Sequence, residues 1–232
     1  MKRWRCKRAT SRSYRGAVVA AALLATFGCT AQGKREYPFA AIGTQADFYS
    51  ESHIDYRKLE REDFWSFGPP SDTNAQAQHL GAVLCSMITT DKALELTFDP
   101  ASKANDYAFT IANPKYRARM NRDCSWWNAS NDQATPKYIL EHEQIHFALS
   151  EIYARKINRD VRGLRLRVPS REQAASRAEA AVTALLEDSM VELLGENRKL
   201  DEQTAHDLDN QAQQRWLNDV EQRLRESTSA LN

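Results

Sequence analysis

The stretch that decides the fold of this 232-residue chain is residues 135–158, TPKYILEHEQIHFALSEIYARKIN. It opens with Thr135, whose hydroxyl is suited to cap a helix, and Pro136, whose fixed φ suits the first helical turn. Apolar residues then recur at helical spacing: Tyr138, Ile145, Leu149, Ile152 and Tyr153. The spacing predicts an amphipathic helix that continues to about Asn158.

The same helix carries the sequence HEQIH at residues 142–146. Four residues advance a helix by about 40° beyond a full turn, so His142 and His146 leave one face and are able to share a zinc ion. Glu143 lies beside them, where its carboxylate reaches a water without ligating the metal. The alternative, a buried histidine pair with a charged neighbour, requires separate partners for three polar groups. The motif therefore predicts His142 and His146 as zinc ligands and Glu143 as general base.

Short strands precede this helix and long helices follow it. Residues 82–89, 93–98 and 107–112 are apolar runs separated by Asp-Lys, Asp-Pro and Asn-Pro turns. A second helix is expected to open with a capping box at Ser170 and Gln173 and to end at Gly195. A third is expected from apolar positions four apart between Leu208 and Leu224. The fold class is therefore α+β, with a small N-terminal sheet, the motif helix and two further long helices.

The first 28 residues have the composition of a secretory signal peptide. They contain seven basic and no acidic residues, with an apolar run at residues 17–27. Cys29 follows Gly28 in a degenerate lipoprotein cleavage box, so Cys29 is expected to be lipidated; the alternative is ordinary cleavage after Ala31. Residues 29–45 are small and polar, as in a tether, and residues 46–232 form the folded domain.

Charge and cysteine content limit the possible function classes. Without the leader the chain has 25 basic and 31 acidic residues, a net charge of −6, which argues against nucleic-acid binding. No apolar run approaches the roughly 20 residues of a membrane span, so contact with a membrane is expected only through the lipid anchor. Cys85 and Cys124 remain after export and are expected to form a disulfide in the periplasm, the alternative being two separately buried thiols.

Residues 139–155, ILEHEQIHFALSEIYAR, resemble the signature of a family of exported bacterial proteins described as zinc-dependent proteases, with an HEQxHF core. Two further segments match the family in order: Ser125-Trp126, and residues 201–206 (DEQTAH) followed by Gln214 and Trp216. Asp207 stands where the family has Gly. The resemblance implies a zincin-like metallopeptidase fold.

A third zinc ligand must come from outside the motif. Glu151 is about 140° around the helix from His146, so it faces away from the metal. His206 is favoured because it lies where the family has its own histidine, with the Thr204 hydroxyl nearby to support it. Glu179 or Glu187 of the second helix are the alternatives, and in that case His206 is expected to stabilise the oxyanion.

The function expected from the sequence is hydrolysis of peptide or protein substrates by a periplasmic zinc metallopeptidase. A zinc-activated water attacks the peptide carbonyl while Glu143 takes its proton and passes it to the leaving amine. Two alternatives stay open. One is a zinc hydrolase of a non-peptide amide, and the other is an inactive envelope lipoprotein that keeps the fold as a binding module.

Overall fold

The structure is a computed structural model that describes residues 51–69, 81–131, 134–204 and 208–229. The expected signal peptide, Cys29, the tether and His206 lie outside these residues. Within them the strands are β1 (His53–Asp55), β2 (Ala82–Val83), β3 (Ser86–Thr90), β4 (Glu95–Phe98), β5 (Tyr107–Ala112), β6 (Tyr116–Asn121), β7 (Trp126–Trp127) and β8 (Leu166–Val168). The α-helices are α1 (Pro136–Gly163), α2 (Ala174–Thr204) and α3 (Asn210–Ser229).

Helix α1 begins as predicted and is the central element of the fold. The Thr135 hydroxyl accepts a hydrogen bond from the Tyr138 backbone N–H at 3.2 Å, and Pro136 occupies the first turn. The helix continues to Gly163, beyond the predicted end at Asn158, because its last turns are also buried, with Ile157 and Val161 fully inaccessible. Since Ile145, Phe147 and Leu149 are all fully buried, α1 is covered on several faces rather than on one.

The strands form three small antiparallel sheets, with orders β1-β6-β3, β4-β5-β8 and β2-β7. The predicted strand at Tyr107–Ala112 has the bounds of β5, whereas the run at 93–98 forms a strand only from Glu95. The predicted strand at 82–89 is wrong as a single element. It is divided at Leu84 and Cys85 into β2 and β3, which belong to different sheets.

The break between β2 and β3 lies at the predicted disulfide, which the structure confirms. Cys85 and Cys124 are bonded, with their Cα atoms 5.9 Å apart. The Cys85 N–H donates to the Ser125 hydroxyl at 3.0 Å, and the Cys85 carbonyl accepts from the Asn121 N–H at 2.8 Å. Cys85 is therefore bound to the turn after β6, which fixes the point where the chain passes from one sheet to the next.

Strand β6 lies at the centre of its sheet, although the apolar runs of the sequence do not predict it. Tyr116, Ala118 and Met120 point inward and are buried, while Arg117 and Arg119 alternate with them. Both arginines pair with Asp55, at 2.9 and 2.7 Å. The strand carries period-two alternation, but its charged residues hide it from a search for apolar runs.

Helix α2 passes through Gly195 and ends at Thr204, so the predicted end at Gly195 is wrong. A glycine inside a helix costs only about 1 kcal/mol relative to alanine. The buried residues Leu193, Asn197 and Leu200 continue the inner face across it and outweigh that cost. Helix α3 begins after Leu208, which has a positive φ of 50° and cannot be helical. Asp209 caps α3 by accepting from the Gln211 and Ala212 backbone N–H groups at 2.8 and 2.9 Å.

The core lies on both sides of α1. The larger cluster joins α1 to α2, α3 and the β4-β5-β8 sheet, and the smaller one joins α1 to β2, β6 and the segment around Leu59. The architecture confirms the α+β class. The strands precede the helices along the chain, except for β8, which lies between α1 and α2. None of the helices among the described residues has an apolar stretch long enough to cross a bilayer.

Candidate metal centre

Two helices bring three ligand atoms to one point. His142 and His146 lie one turn apart on α1, and Asp201 lies in the last turn of α2. The two Nε2 atoms are 3.1 Å apart, and Asp201 Oδ1 is 3.1 Å from His146 Nε2 and 3.2 Å from His142 Nε2. These three atoms therefore form a nearly equilateral triangle.

The dimensions and the chemistry of the triangle are those of a metal site and are compatible with zinc. Ligand atoms about 2.0 to 2.1 Å from a tetrahedral zinc ion lie about 3.3 to 3.4 Å from each other, close to the three distances observed. Two imidazoles and a carboxylate are also a ligand set of catalytic zinc sites, which leave the fourth position open. Among the described residues this is a cluster of histidine and acidic groups able to hold a metal ion.

A side chain of α2 contacts the Nδ1 atom of each histidine, on the side of the ring away from the triangle. Asn197 Oδ1 lies 2.9 Å from His146 Nδ1, and Thr204 Oγ1 lies 3.2 Å from His142 Nδ1. Asn197, Asp201 and Thr204 follow one another at intervals of about one helical turn, so they occupy one face of the helix. The end of α2 is itself fixed on α1, because the Tyr138 hydroxyl donates to the Thr204 carbonyl at 2.8 Å.

The electrostatics of the site favour positive charge. Burial lowers the pKa of an imidazole, but the Asp201 carboxylate outweighs burial and raises the pKa of His146 to about 9. Burial also opposes ionisation of Asp201, yet His146 and His142 hold the pKa of that carboxyl well below its usual range. Both shifts arise from one ion pair, in which the Asp201 carboxylate favours a positive charge at the histidine nitrogens, and a metal ion that replaces the proton would supply the same charge.

Glu143 is a buried carboxylate next to these ligands. Its residue is 4% exposed, and burial raises its pKa against the opposing effect of His146 and His142. The Leu84 backbone makes a hydrogen bond to it, while Oε2 has no hydrogen-bond partner among the described residues. A buried acceptor without a partner costs free energy, so this oxygen is a group that the fold alone does not explain.

The structure brings together His142, Glu143 and His146 as the motif predicted. Glu151 faces away from the site, as expected, and accepts from the Ala118 backbone N–H and from Arg155. The alternative ligands Glu179 and Glu187 are not at the site. They precede Asp201 on the same helix, which places them roughly 33 and 21 Å from it along the axis.

Asp201 is the site residue that sequence reasoning missed. In the sequence it is only part of a segment that resembles the family. Because the second helix is predicted to end at Gly195, residues 196–204 cannot be assigned to a buried helix face. The signal is present in the buried face of α2, where the polar residues Asn197 and Thr204 alternate with Leu193 and Leu200. Polar side chains on a buried helix face require partners, and here the partners are the two histidines.

Comparisons with protein-family models, with curated proteins and with solved structures found no match for this chain. The zincin-like family resemblance therefore stays a prediction from the motifs, and the geometry of the described residues carries the functional argument.

Proposed function

We propose that this protein is a zinc-dependent metallopeptidase with a zincin-like active site. The observation that carries the proposal is the triangle of His142 Nε2, His146 Nε2 and Asp201 Oδ1, with the buried Glu143 carboxylate beside it. These three side chains would hold the zinc ion. Their dimensions, and their preference for positive charge, fit that ion.

Zinc in such a site is a Lewis acid that makes water nucleophilic near neutral pH. Glu143 would take the proton from the attacking water and deliver it to the amine that leaves. The Leu84 backbone orients the Glu143 carboxylate and leaves Oε2 available for this proton. Burial of Glu143 supports the role, because a raised pKa makes a carboxylate a stronger base.

The presence of Glu143 also favours an enzyme over a binding module. A protein that only used the metal to hold its fold would gain nothing from a second buried carboxylate next to Asp201. The two acidic groups repel each other, and this repulsion contributes to the raised pKa of Glu143. Such an arrangement is costly for stability and useful for proton transfer.

The test is metal analysis combined with hydrolysis of a peptide library by the purified protein and its Glu143→Gln variant. We expect one zinc per chain in both proteins and cleavage only by the parent, because Glu143 is the base and not a ligand. Glu141→Gln is the matched control, since Glu141 is a partly exposed residue on the same helix that pairs with Lys137. That variant should keep both zinc and activity.

The alternatives have distinct outcomes in the same experiment. A parent without zinc, or a Glu143→Gln variant that loses zinc, would contradict the proposed roles. Zinc with no hydrolysis of any peptide would point to the inactive binding module. If peptides resist cleavage while cell-wall amides are hydrolysed in a Glu143-dependent manner, the protein is a zinc hydrolase of non-peptide bonds.

We also propose that the enzyme acts in the bacterial envelope, attached to a membrane through a lipid on Cys29. The Cys85–Cys124 disulfide supports an oxidising compartment. Mass spectrometry of the N-terminal peptide from membrane fractions tests this. A diacylglyceryl group on Cys29 is the expected result, and an unmodified N-terminus that begins after Ala31 would contradict lipidation.

A further inference from the structure

The contact with Asn197 determines which nitrogen of the neutral His146 ring carries hydrogen. Asn197 is 3% exposed, and its Oδ1 lies 2.9 Å from His146 Nδ1. An amide oxygen only accepts hydrogen bonds, so Nδ1 must be the donor. A neutral imidazole carries a single N–H, and His146 Nε2 is then left with its lone pair toward Asp201 and His142.

Thr204 does the same for His142 through a less direct route. The Thr204 side chain is fully buried and its hydroxyl lies 2.7 Å from the Leu200 carbonyl, which only accepts, so its one hydrogen is donated there. Its oxygen, 3.2 Å from His142 Nδ1, is then left as an acceptor. His142 Nδ1 must carry the hydrogen, and His142 Nε2 is left with its lone pair.

The two contacts together direct two imidazole lone pairs at the position that Asp201 Oδ1 also faces. Metal binding requires both rings to be neutral, and in that state these tautomers place no hydrogen between the two Nε2 atoms and Asp201 Oδ1, which lie 3.1 to 3.2 Å apart. Lone pairs at this separation repel each other unless a positive charge, a proton or a metal ion, lies between them. The arrangement is the one a metal requires, because imidazole binds metal through its unprotonated nitrogen.

We propose that Asn197 and Thr204 are positioning residues that fix the metal-binding tautomers of His146 and His142. The proposal rests on the proposed function of this site as a zinc centre. It assigns Asn197 a role that the sequence did not predict, and it assigns Thr204 to His142, whereas the sequence led us to expect that Thr204 supports His206. Both lie on the buried face of α2 beside Leu193 and Leu200, where an apolar side chain would fill the space without burying polar atoms. Their polar groups are therefore explained by the histidines that they contact.

The test is zinc affinity, measured by competition with a chromophoric chelator on purified protein. Thr204→Val keeps the shape of the side chain and removes the hydroxyl, so we expect zinc to bind about 10- to 100-fold more weakly. Thr204→Ser restores a hydroxyl at the same position and should recover most of the parental affinity. Asn197→Leu should weaken zinc binding to a similar extent as Thr204→Val.

A matched control separates positioning of the metal ligands from a general contribution to the fold. Asn158 is likewise a buried asparagine, on α1, and its amide bonds the Tyr116 backbone N–H and carbonyl, both at 2.7 Å. It lies three turns beyond His146, roughly 18 Å along the helix. Asn158→Leu should lower the free energy of unfolding and leave the zinc affinity of the folded protein at the parental value.

Two results would overturn the proposal in different ways. Parental zinc affinity in both Thr204→Val and Asn197→Leu would overturn the positioning role alone, even if both variants were less stable. A parent protein that binds no zinc would overturn the metal centre and the positioning role together. A zinc-binding parent that hydrolyses no substrate would refute only the enzymatic proposal, because the readout here is affinity.

Discussion

Asp201 is the residue whose role a single substitution tests most directly. Asp201→Asn keeps the size of the side chain but removes its negative charge and makes it a poorer ligand. We expect zinc affinity to fall by more than about 100-fold, since loss of a ligand should exceed the 10- to 100-fold effect of supporting residues. Competition with a chelator at fixed pH measures the change.

His206 remains the competing prediction for the third ligand, and it lies outside the described residues. The same assay on His206→Ala distinguishes the two assignments. If Asp201 is the ligand, His206→Ala should retain stoichiometric zinc. If His206 instead donates to the oxyanion, the same substitution should lower turnover by about 10² to 10³-fold. Zinc lost from His206→Ala but kept by Asp201→Asn would assign the ligand to His206 instead.

At the residue scale, sequence is sufficient where the residues of the site are close together along one element. His142, Glu143 and His146 follow from helical geometry alone, because their spacing fixes their relative directions. Asp201 is 55 residues from His146, so its position depends on how α1 and α2 pack. No local pattern specifies that packing. The one local signal, the polar residues on the buried face of α2 after Gly195, is lost when the helix is predicted to end at Gly195.

At the scale of the elements, two glycines lead to opposite predictions. A Cβ added at Gly195 would meet open space, so Gly195→Ala should stabilise α2 by roughly 0.5 to 1 kcal/mol. A Cβ on Gly81 would lie 2.5 Å from Ile139 Cγ1 in the first turns of α1, so Gly81→Ala should destabilise by about 1 to 3 kcal/mol. Urea unfolding of the two variants, at saturating zinc, measures both. Destabilisation by Gly195→Ala would contradict the continuous helix.

The elements themselves are predicted best where one face of a helix or strand is apolar. Helix α1 and strand β5 are found because burial and periodicity coincide. Strand β6 is missed because Arg117 and Arg119 interrupt its apolar residues. The pairing of both arginines with Asp55 of β1, which lets Arg119 be buried, cannot be read from the strand itself. The break between β2 and β3 depends on a hydrogen bond from Cys85 to Ser125, 40 positions away, which no local propensity encodes.

At the scale of the whole molecule, the disulfide and the metal should stabilise the fold independently of each other. The Cys85–Cys124 bond closes a loop with a sequence separation of 39 residues, which on a chain-entropy estimate stabilises the fold by about 3 to 4 kcal/mol. We expect Cys124→Ser to lower the free energy of unfolding by about that amount while the folded variant keeps one zinc per chain. Chemical denaturation with parallel metal analysis tests both parts, and a folded variant without zinc would show that the disulfide is required for the metal site.

The proposed metal centre has a consequence for the time course of folding. Its ligands are contributed by α1 and by the far end of α2, so the centre is complete only when the two helices have docked. Interactions that form after the folding transition state slow unfolding and leave the folding rate nearly unchanged. Stopped-flow experiments should therefore show that saturating zinc lowers the unfolding rate constant and barely alters the refolding rate constant. Zinc would then lengthen the lifetime of the folded protein, so that proteases reach the unfolded chain less often.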